Sequence, residues 1–345
     1  MKALTLTATG GLEHLKLQDM PDPPLRGPAD VLVRVHSAAL NRLDLFVVNG
    51  LPGISYTFPH IVGADAAGVV ERVGTAVTGV KAGDRVFINP GISCGICEWC
   101  TAGEQPLCVE FGLLGEHRPG TIAEFVVAPG RNLGLMPEGM SWGQAAGFSL
   151  ATLTAWRMLM NRARLQPGET VLIWGIGGGV SLAALKIAKH AGARVIVTSS
   201  SDAKLARAQE LGADESINHA TMQVAREVRA RTGGRGADVV VDTVGEKTWE
   251  QSLRSLARLG RLVTCGGTSG PMVTTDVRKL FWYQWSILGS TMGSEAEFQA
   301  ITGLAQAGRL WPEVDKIYPL AEAADAFRRL AAGAQLGKVV IEVGS

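Results

Sequence analysis

Apolar and polar positions follow two different patterns along the chain. Up to about residue 130 the apolar positions form short β-branched runs, over 31–35, 68–73, 84–88 and 123–127, broken by Gly and Pro. Short strands at that spacing predict a small, strongly bent β-barrel or sandwich. Helical spacing begins near Ser141, a suitable N-cap, and predicts a helix through Met160. From Thr170 the pattern changes. The run 171–174 predicts a strand buried on both faces, and Gly175, Gly177, Gly178 and Gly179 follow it. Helical spacing over 180–190 stops at Gly192, and 195–197 predicts a second buried strand. The alternation continues with helices over 203–211, 222–232 and 249–256, and with strands over 215–218, 239–241, 261–265 and 285–289. Strands alternating with helices predict a parallel, doubly wound sheet, so the chain is α/β with a β-rich first part. A helix over 322–332 and a strand over 338–343 then have to rejoin one of the sheets.

The glycines at the first strand-to-helix turn carry the clearest chemistry. Glycine lets backbone amides approach a pyrophosphate, and a helix N-terminus adds partial positive charge. Gly177, Gly178, Gly179 and Val180 are therefore candidate cofactor-binding residues. The usual G-x-G-x-x-G is imperfect here. Counting from Gly175, Val180 holds the third glycine position; counting from the next residue, Ser181 does. Ser181 predicts a looser helix–strand contact with a hydroxyl near the phosphates.

Composition narrows the function. The 345 residues suffice for two domains, and a net charge of +1 with no long charged run argues against nucleic acid or a membrane surface as partner. No apolar stretch reaches the ~18 residues of a membrane span. Residues 1–20 lack the apolar centre of a signal peptide, so a cytoplasmic protein is expected. Of five cysteines, Cys94, Cys97, Cys100 and Cys108 crowd together and Cys265 stands apart. A local quartet in a chain without an export signal predicts a metal site. Four thiolates close a tetrahedral zinc and leave no open position, so that zinc would be structural.

The β-rich half, the glycine-turn βαβ array and the Cys quartet together resemble the medium-chain dehydrogenase/reductase superfamily. The motifs are Gly63-Ala64-Asp65-Ala66-Ala67-Gly68 with Gly74, Gly83-Asp84-Arg85-Val86, Leu153-Thr154-Ala155-Trp156, Asp242-x-Val244-Gly245 and Gly337-Lys338-Val339-Val340. The resemblance implies a GroES-like catalytic domain from 1–150 and 293–345, with a zinc lobe at 91–110. A Rossmann domain would occupy 151–292, with the substrate cleft between the two.

Alcohol dehydrogenases of that superfamily hold a second, catalytic zinc. The positions of its usual ligands here carry Asn41, Ala64 and Leu150, of which two have no donor atom and the third is a poor zinc ligand. Asp44, His60, Asp65 and His117 are nearby donors, with no pair at a diagnostic spacing. Zinc-less relatives are quinone oxidoreductases and reductases of enones, enals or acryloyl thioesters. The expected activity is hydride transfer to an electron-poor C=C bond or a quinone. Asn41, and secondarily Tyr56, are the candidate polar groups near the substrate carbonyl. A zinc-dependent alcohol dehydrogenase with unusual ligands and a non-catalytic family member are the alternatives.

At the end of the second strand an acidic residue would favour NAD. Here Ser199 stands in that place, followed by Ser200 and Lys204, and His219 falls where NADPH-dependent relatives often carry Tyr. NADP(H) is expected, unless the serines merely cap the next helix. The resemblance further places Thr243 and Val244 at the nicotinamide ribose, and Gly266, Gly267 and Thr268 under the cofactor. It puts Met292 beside the carboxamide and Lys338 at the pyrophosphate. The aromatic run 281–285 suits either an interface or core packing, and relatives form homodimers or homotetramers.

Overall fold

The computed structural model describes residues 1–344. The chain forms two compact units, Met1–Leu153 with the segment from Met292 onward, and Thr154–Thr291.

In the first unit, a seven-stranded sheet runs in the order Leu133–Leu135, Arg85–Ile88, Asp65–Val73, Asp30–Ala39, Lys338–Glu342 and Val314–Pro319, with Phe125–Pro129 also paired to Asp30–Ala39. A three-stranded sheet holds Leu15–Asp19, Lys2–Leu6 and His60–Ile61. Alternation along these strands buries Val31, Val33, Val35, Val70, Val86, Ile88 and Ile341 in one core. The pairing is tight enough to dictate residue type at Gly68, where a Cβ would sit 2.1 Å from the Arg34 carbonyl oxygen. The tail closes this unit. Lys338–Glu342 pairs antiparallel with Asp30–Ala39 and parallel with Val314–Pro319.

The helix predicted through Met160 is interrupted. Trp142–Ala146 is capped by Ser141 and ends at Gly147; a new helix, Ser149–Trp156, then begins and continues into a wider turn over Arg157–Arg162. The break releases the Leu150 amide, which donates to the Asp65 carboxylate at 2.9 Å. Four helices escaped the apolar pattern: Arg42–Asn49, Glu98–Thr101, Val277–Tyr283 and Glu295–Gln306.

The second unit is a six-stranded, fully parallel sheet in the order Glu215–Asn218, Arg194–Ser199, Thr170–Ile173, Ala237–Asp242, Leu256–Thr264 and Ser286–Gly289. Leu172, Ile196, Val240 and Leu262 form its buried centre with Trp174, Trp249 and Trp285. The aromatic run divides. Phe281 and Trp282 are exposed on the helix Val277–Tyr283, whereas Trp285 is buried and donates its indole N–H to the Ala257 carbonyl at 2.8 Å. Among the described residues no helix is long and apolar enough to cross a membrane.

Candidate cofactor site, zinc lobe and active centre

Because the second unit's sheet is parallel, the carboxyl ends of its strands share one edge, where ligands bind in such folds. The strand Thr170–Ile173 ends in Trp174 and the glycine turn, and the helix Gly179–His190 starts immediately after it. Gly175 adopts φ +65°, which favours glycine, and nothing lies within 4 Å of the position a Cβ would take. Open space above a turn that leads directly into a helix N-terminus fits a bound pyrophosphate. Ser181 corrects the expectation from sequence. It is buried, and its hydroxyl donates to the Trp174 carbonyl at 2.9 Å, so it ties helix to strand and is not presented to phosphates. Thr198, missed in the sequence, underlies the turn. Its hydroxyl accepts from the Gly175 amide at 3.3 Å and its carbonyl from the Ile176 amide at 2.9 Å.

At the end of Arg194–Ser199, Ser199 is buried and its Oγ accepts from the Ser201 amide at 3.1 Å. Ser201 in turn caps the helix Asp202–Glu210 by accepting from the Lys204 amide at 3.4 Å. Ser200 is exposed. His219 lies beside this strand end, its Nδ1 3.2 Å from the Thr198 hydroxyl and its ring 5.8 Å from that of Trp174. Burial holds its pKa below the ordinary histidine value. Thr243, Val244, Gly266, Gly267 and Thr268 follow the next two strands on the same edge, where the Thr268 hydroxyl donates to the Thr243 carbonyl at 3.4 Å. The structure thus brings the second unit's candidates to one sheet edge. Met292 and Lys338 belong to the first unit.

In the cysteine lobe, the four Sγ atoms lie within 4.8 Å of one another. The pairs Cys94–Cys100 and Cys97–Cys100 are separated by 3.9 and 3.6 Å. Zn–S bonds of about 2.3 Å in a tetrahedron put sulfurs about 3.8 Å apart, so the quartet fits zinc. Backbone amides point at the sulfurs: Cys97 donates to Cys94 Sγ, and Glu110 donates to Cys108 Sγ, both at 3.4 Å. Among the described residues this is the one group of three or more His, Cys, Asp or Glu arranged to hold a metal.

The first unit also contains a buried charged centre. Lys338 Nζ donates to Asn41 Oδ1 at 2.6 Å and to Asp65 Oδ2 at 3.0 Å, and the Lys338 and Asp65 side chains are 3% and 0% exposed. Asp65 also accepts from Asn41 Nδ2 at 3.0 Å and from the Leu150 amide. Both ends of the Asn41 amide are therefore engaged within the protein, which corrects the expectation that it donates to a substrate carbonyl. The Lys338 ammonium is held by Asn41 and Asp65. The Tyr56 hydroxyl, by contrast, is buried without a hydrogen-bond partner, its ring 5.1 Å from that of His60. His60 itself hydrogen-bonds the Gly115 carbonyl at 3.0 Å, the ordinary place of a loop histidine.

Asp44 completes the surroundings. Fully buried, it accepts from the Asn41 amide at 2.6 Å, and burial pushes its pKa from 3.8 up to about 7. A carboxyl raised in this way stabilises the fold fully below its unfolded value of 3.8, and that contribution is lost as pH climbs through about 7. Wild type should lose melting temperature relative to Asp44→Asn between pH 4 and 8, the total effect being on the order of 4 kcal/mol. Thermal melts of both proteins across that range check this.

A dinucleotide-type sheet edge in one unit and a zinc-fitting lobe in the other, β-rich unit define an NAD(P)H-dependent oxidoreductase. The alcohol dehydrogenase GroES-like domain family matches residues 27–138, and the zinc-binding dehydrogenase family matches residues 179–307. The chain belongs to the medium-chain dehydrogenase/reductase superfamily. It is 33% identical to a zinc-type alcohol dehydrogenase-like protein of Schizosaccharomyces pombe, covering 96% of each chain. It is 34% identical to a quinone oxidoreductase of Pseudomonas aeruginosa, covering 99% of each. The crystal structure of an NAD-dependent alcohol dehydrogenase superposes with a TM-score of 0.95 at 45% identity, covering 100% of both chains. A pyridine nucleotide and zinc both accord with this family.

Proposed function

We propose that this protein is an NADPH-dependent reductase of electron-poor C=C bonds or quinones that works without a catalytic zinc. The observation that carries the reading is the centre built around Asp65. Ala64 and Leu150 offer no donor atom, and the Asp65 carboxylate and Asn41 amide are engaged with the Lys338 ammonium. Without a Lewis acid, a substrate whose own carbonyl spreads the developing negative charge is favoured over a simple alcohol. When bound, the reduced nicotinamide supplies the hydride. The residues proposed to hold the dinucleotide are Gly177, Gly178, Gly179, Val180, Thr243, Val244, Gly266, Gly267, Thr268 and Met292. Tyr56, with its unpartnered buried hydroxyl, remains a candidate for contact with substrate. Cys94, Cys97, Cys100 and Cys108 would hold one structural zinc.

NADPH is proposed over NADH because the second strand ends in serines. Ser199 uses its oxygen to accept, which leaves its O–H to donate, with Ser200 exposed beside it and Lys204 and His219 at the same end. Ser199→Asp should reverse the preference, raising the Kd for NADPH at least about tenfold by placing a carboxylate against the 2′-phosphate. Fluorescence titration with both nucleotides checks it. The reading as a whole is tested by assaying quinones, enones, enals and acryloyl thioesters with NADPH while counting zinc. Two zincs per chain with alcohol oxidation would favour the alcohol dehydrogenase alternative. Tight cofactor binding without turnover would favour a non-catalytic role.

A homo-oligomer is also proposed. Ser286–Gly289 ends the sheet with one side unpaired among the described residues, next to Val277, Phe281 and Trp282, each 64–68% exposed.

A further inference from the structure

We infer that the first unit carries a further ligand site, a small pocket that takes a carboxylate with a ring-sized apolar body, of the benzoate class. The inference is independent of the reductase reading. It begins with Pro21, Pro23 and Pro24. Proline has no amide hydrogen to offer a sheet, so the chain after Leu15–Asp19 leaves the strand pattern. The segment is pinned at both ends. Met20 exchanges backbone hydrogen bonds with Met1, both at 2.8 Å, and the Arg26 and Gly27 amides donate to Asp30 Oδ2 at 2.9 and 2.8 Å. Pro23 and Pro24, between these points, line a cavity of about 140 Å³ together with the strand Phe125–Pro129.

The lining divides into an apolar part and a charged part. Ile61, Ile92, Leu114 and Val126 line the cavity and are all buried. Arg26 and Arg118 line it too, and both are exposed. Arg118 follows the strand Gly112–Leu113, and a Cβ at Gly112 would lie 3.7 Å from its Nε. Gly112 pairs with Ile92, so the arginine stem runs along the hairpin that supplies the apolar part. Among the described residues neither guanidinium makes a hydrogen bond or an ion pair. Asp30 is the one acidic side chain in the lining, and its Oδ2 is turned to the Arg26 and Gly27 amides. Two cations against one carboxylate leave the pocket positive.

Size and charge together select the ligand. An apolar cavity of about 150 Å³ holds a benzene ring, and a guanidinium pairs with a carboxylate through two parallel N–H···O bonds. A ring packed against Ile92 and Leu114 with its carboxylate at the arginines uses both parts of the pocket. Phosphate has no apolar body to bury, and a neutral ring forgoes the pairing with the guanidinium groups. The cavity shares no lining residue with the centre around Asp65 or with the cysteine quartet. Its occupancy can therefore be measured without cofactor.

The test is ligand-detected NMR on the full chain with benzoate, against benzyl alcohol and inorganic phosphate as comparators. Benzoate should bind with a Kd of about 1 mM or tighter, and each comparator at least about tenfold more weakly. Arg26→Gln with Arg118→Gln should weaken benzoate about tenfold, and rising salt should weaken it in wild type. Val127→Phe, placed at a half-buried position of the lining, should abolish binding by filling the cavity. Thermal melts confirm that the variants are folded, and if Val127→Phe is not, the arginine pair decides. Phosphate bound as tightly as benzoate would reduce the site to surface arginines, and benzyl alcohol bound as tightly would reduce it to an uncharged cavity. Either result overturns the inference. Benzoate affinity unchanged in the arginine variant would place the ligand elsewhere, and no binding to wild type would remove the site altogether. None of these outcomes depends on turnover with NADPH, so the reductase reading stands or falls separately.

Discussion

Replacing Asp65 with alanine should destabilise the first unit by about 3–5 kcal/mol, because it strands the Lys338 ammonium in a site 3% exposed. The same change removes the acceptor for Asn41 Nδ2 and for the Leu150 amide, so two further buried donors lose their partner. For a unit of this size the loss corresponds to a fall of roughly 10 °C in the melting temperature. Most of it should return in Asp65→Asn/Lys338→Met, which keeps a neutral acceptor and removes the cation. Calorimetry of the three proteins decides the matter. Equal melting temperatures for wild type and Asp65→Ala would mean that water reaches the ammonium and solvates it.

Removing zinc should have the other large effect. Glu98–Thr101 is a four-residue helix and Gln105–Leu107 a three-residue turn, and Ile96, Leu107 and Val109 between and around them are exposed. Such a lobe has little core of its own, so a bound zinc would supply its order. Burial pushes the Cys100 thiol up to about 11, whereas a backbone hydrogen bond at Cys100 brings Cys97 down to about 6. An unfilled lobe would therefore keep Cys100 protonated, and metal binding must displace that proton. Zinc at a four-thiolate site contributes on the order of 10 kcal/mol of local folding free energy. Cys100→Ser, or prolonged chelation, should reduce the zinc count to zero and open the chain to proteolysis between Cys94 and Cys108. Mass spectrometry of the fragments and metal analysis check both. An intact lobe without zinc would contradict the assignment.

Much of this was legible in the chain because it depends on local spacing. The glycine turn, the cysteine quartet and the donor-less Ala64 and Leu150 are each read within a few residues. Helix starts were legible in principle too: Ser294 with Glu297 and Asn41 with Asp44 are N-cap pairs. The apolar run of Leu45, Val47 and Val48 masked the second of these, since β-branched residues weigh toward strand. What spacing could not supply is pairing across distance. Lys338 and Asp65 are 273 residues apart, and only the register of the tail strand against Asp30–Ala39 joins them. Ser181 illustrates the same limit at short range. Its position in the motif was plain, but the direction of its hydroxyl toward Trp174 depends on how the helix docks on the strand.

The closing strand also sets an order of events during synthesis. Asp65 leaves the ribosome 273 residues ahead of its counter-ion. Until Lys338 arrives the nascent first unit holds an acidic centre with no cation and a sheet with an open edge at Asp30–Ala39. The second unit, continuous from Thr154 to Thr291, has by then been translated in full. The part begun first is thus finished last, and a chain truncated just before Lys338 would lose the sheet's closure and its buried charge balance together.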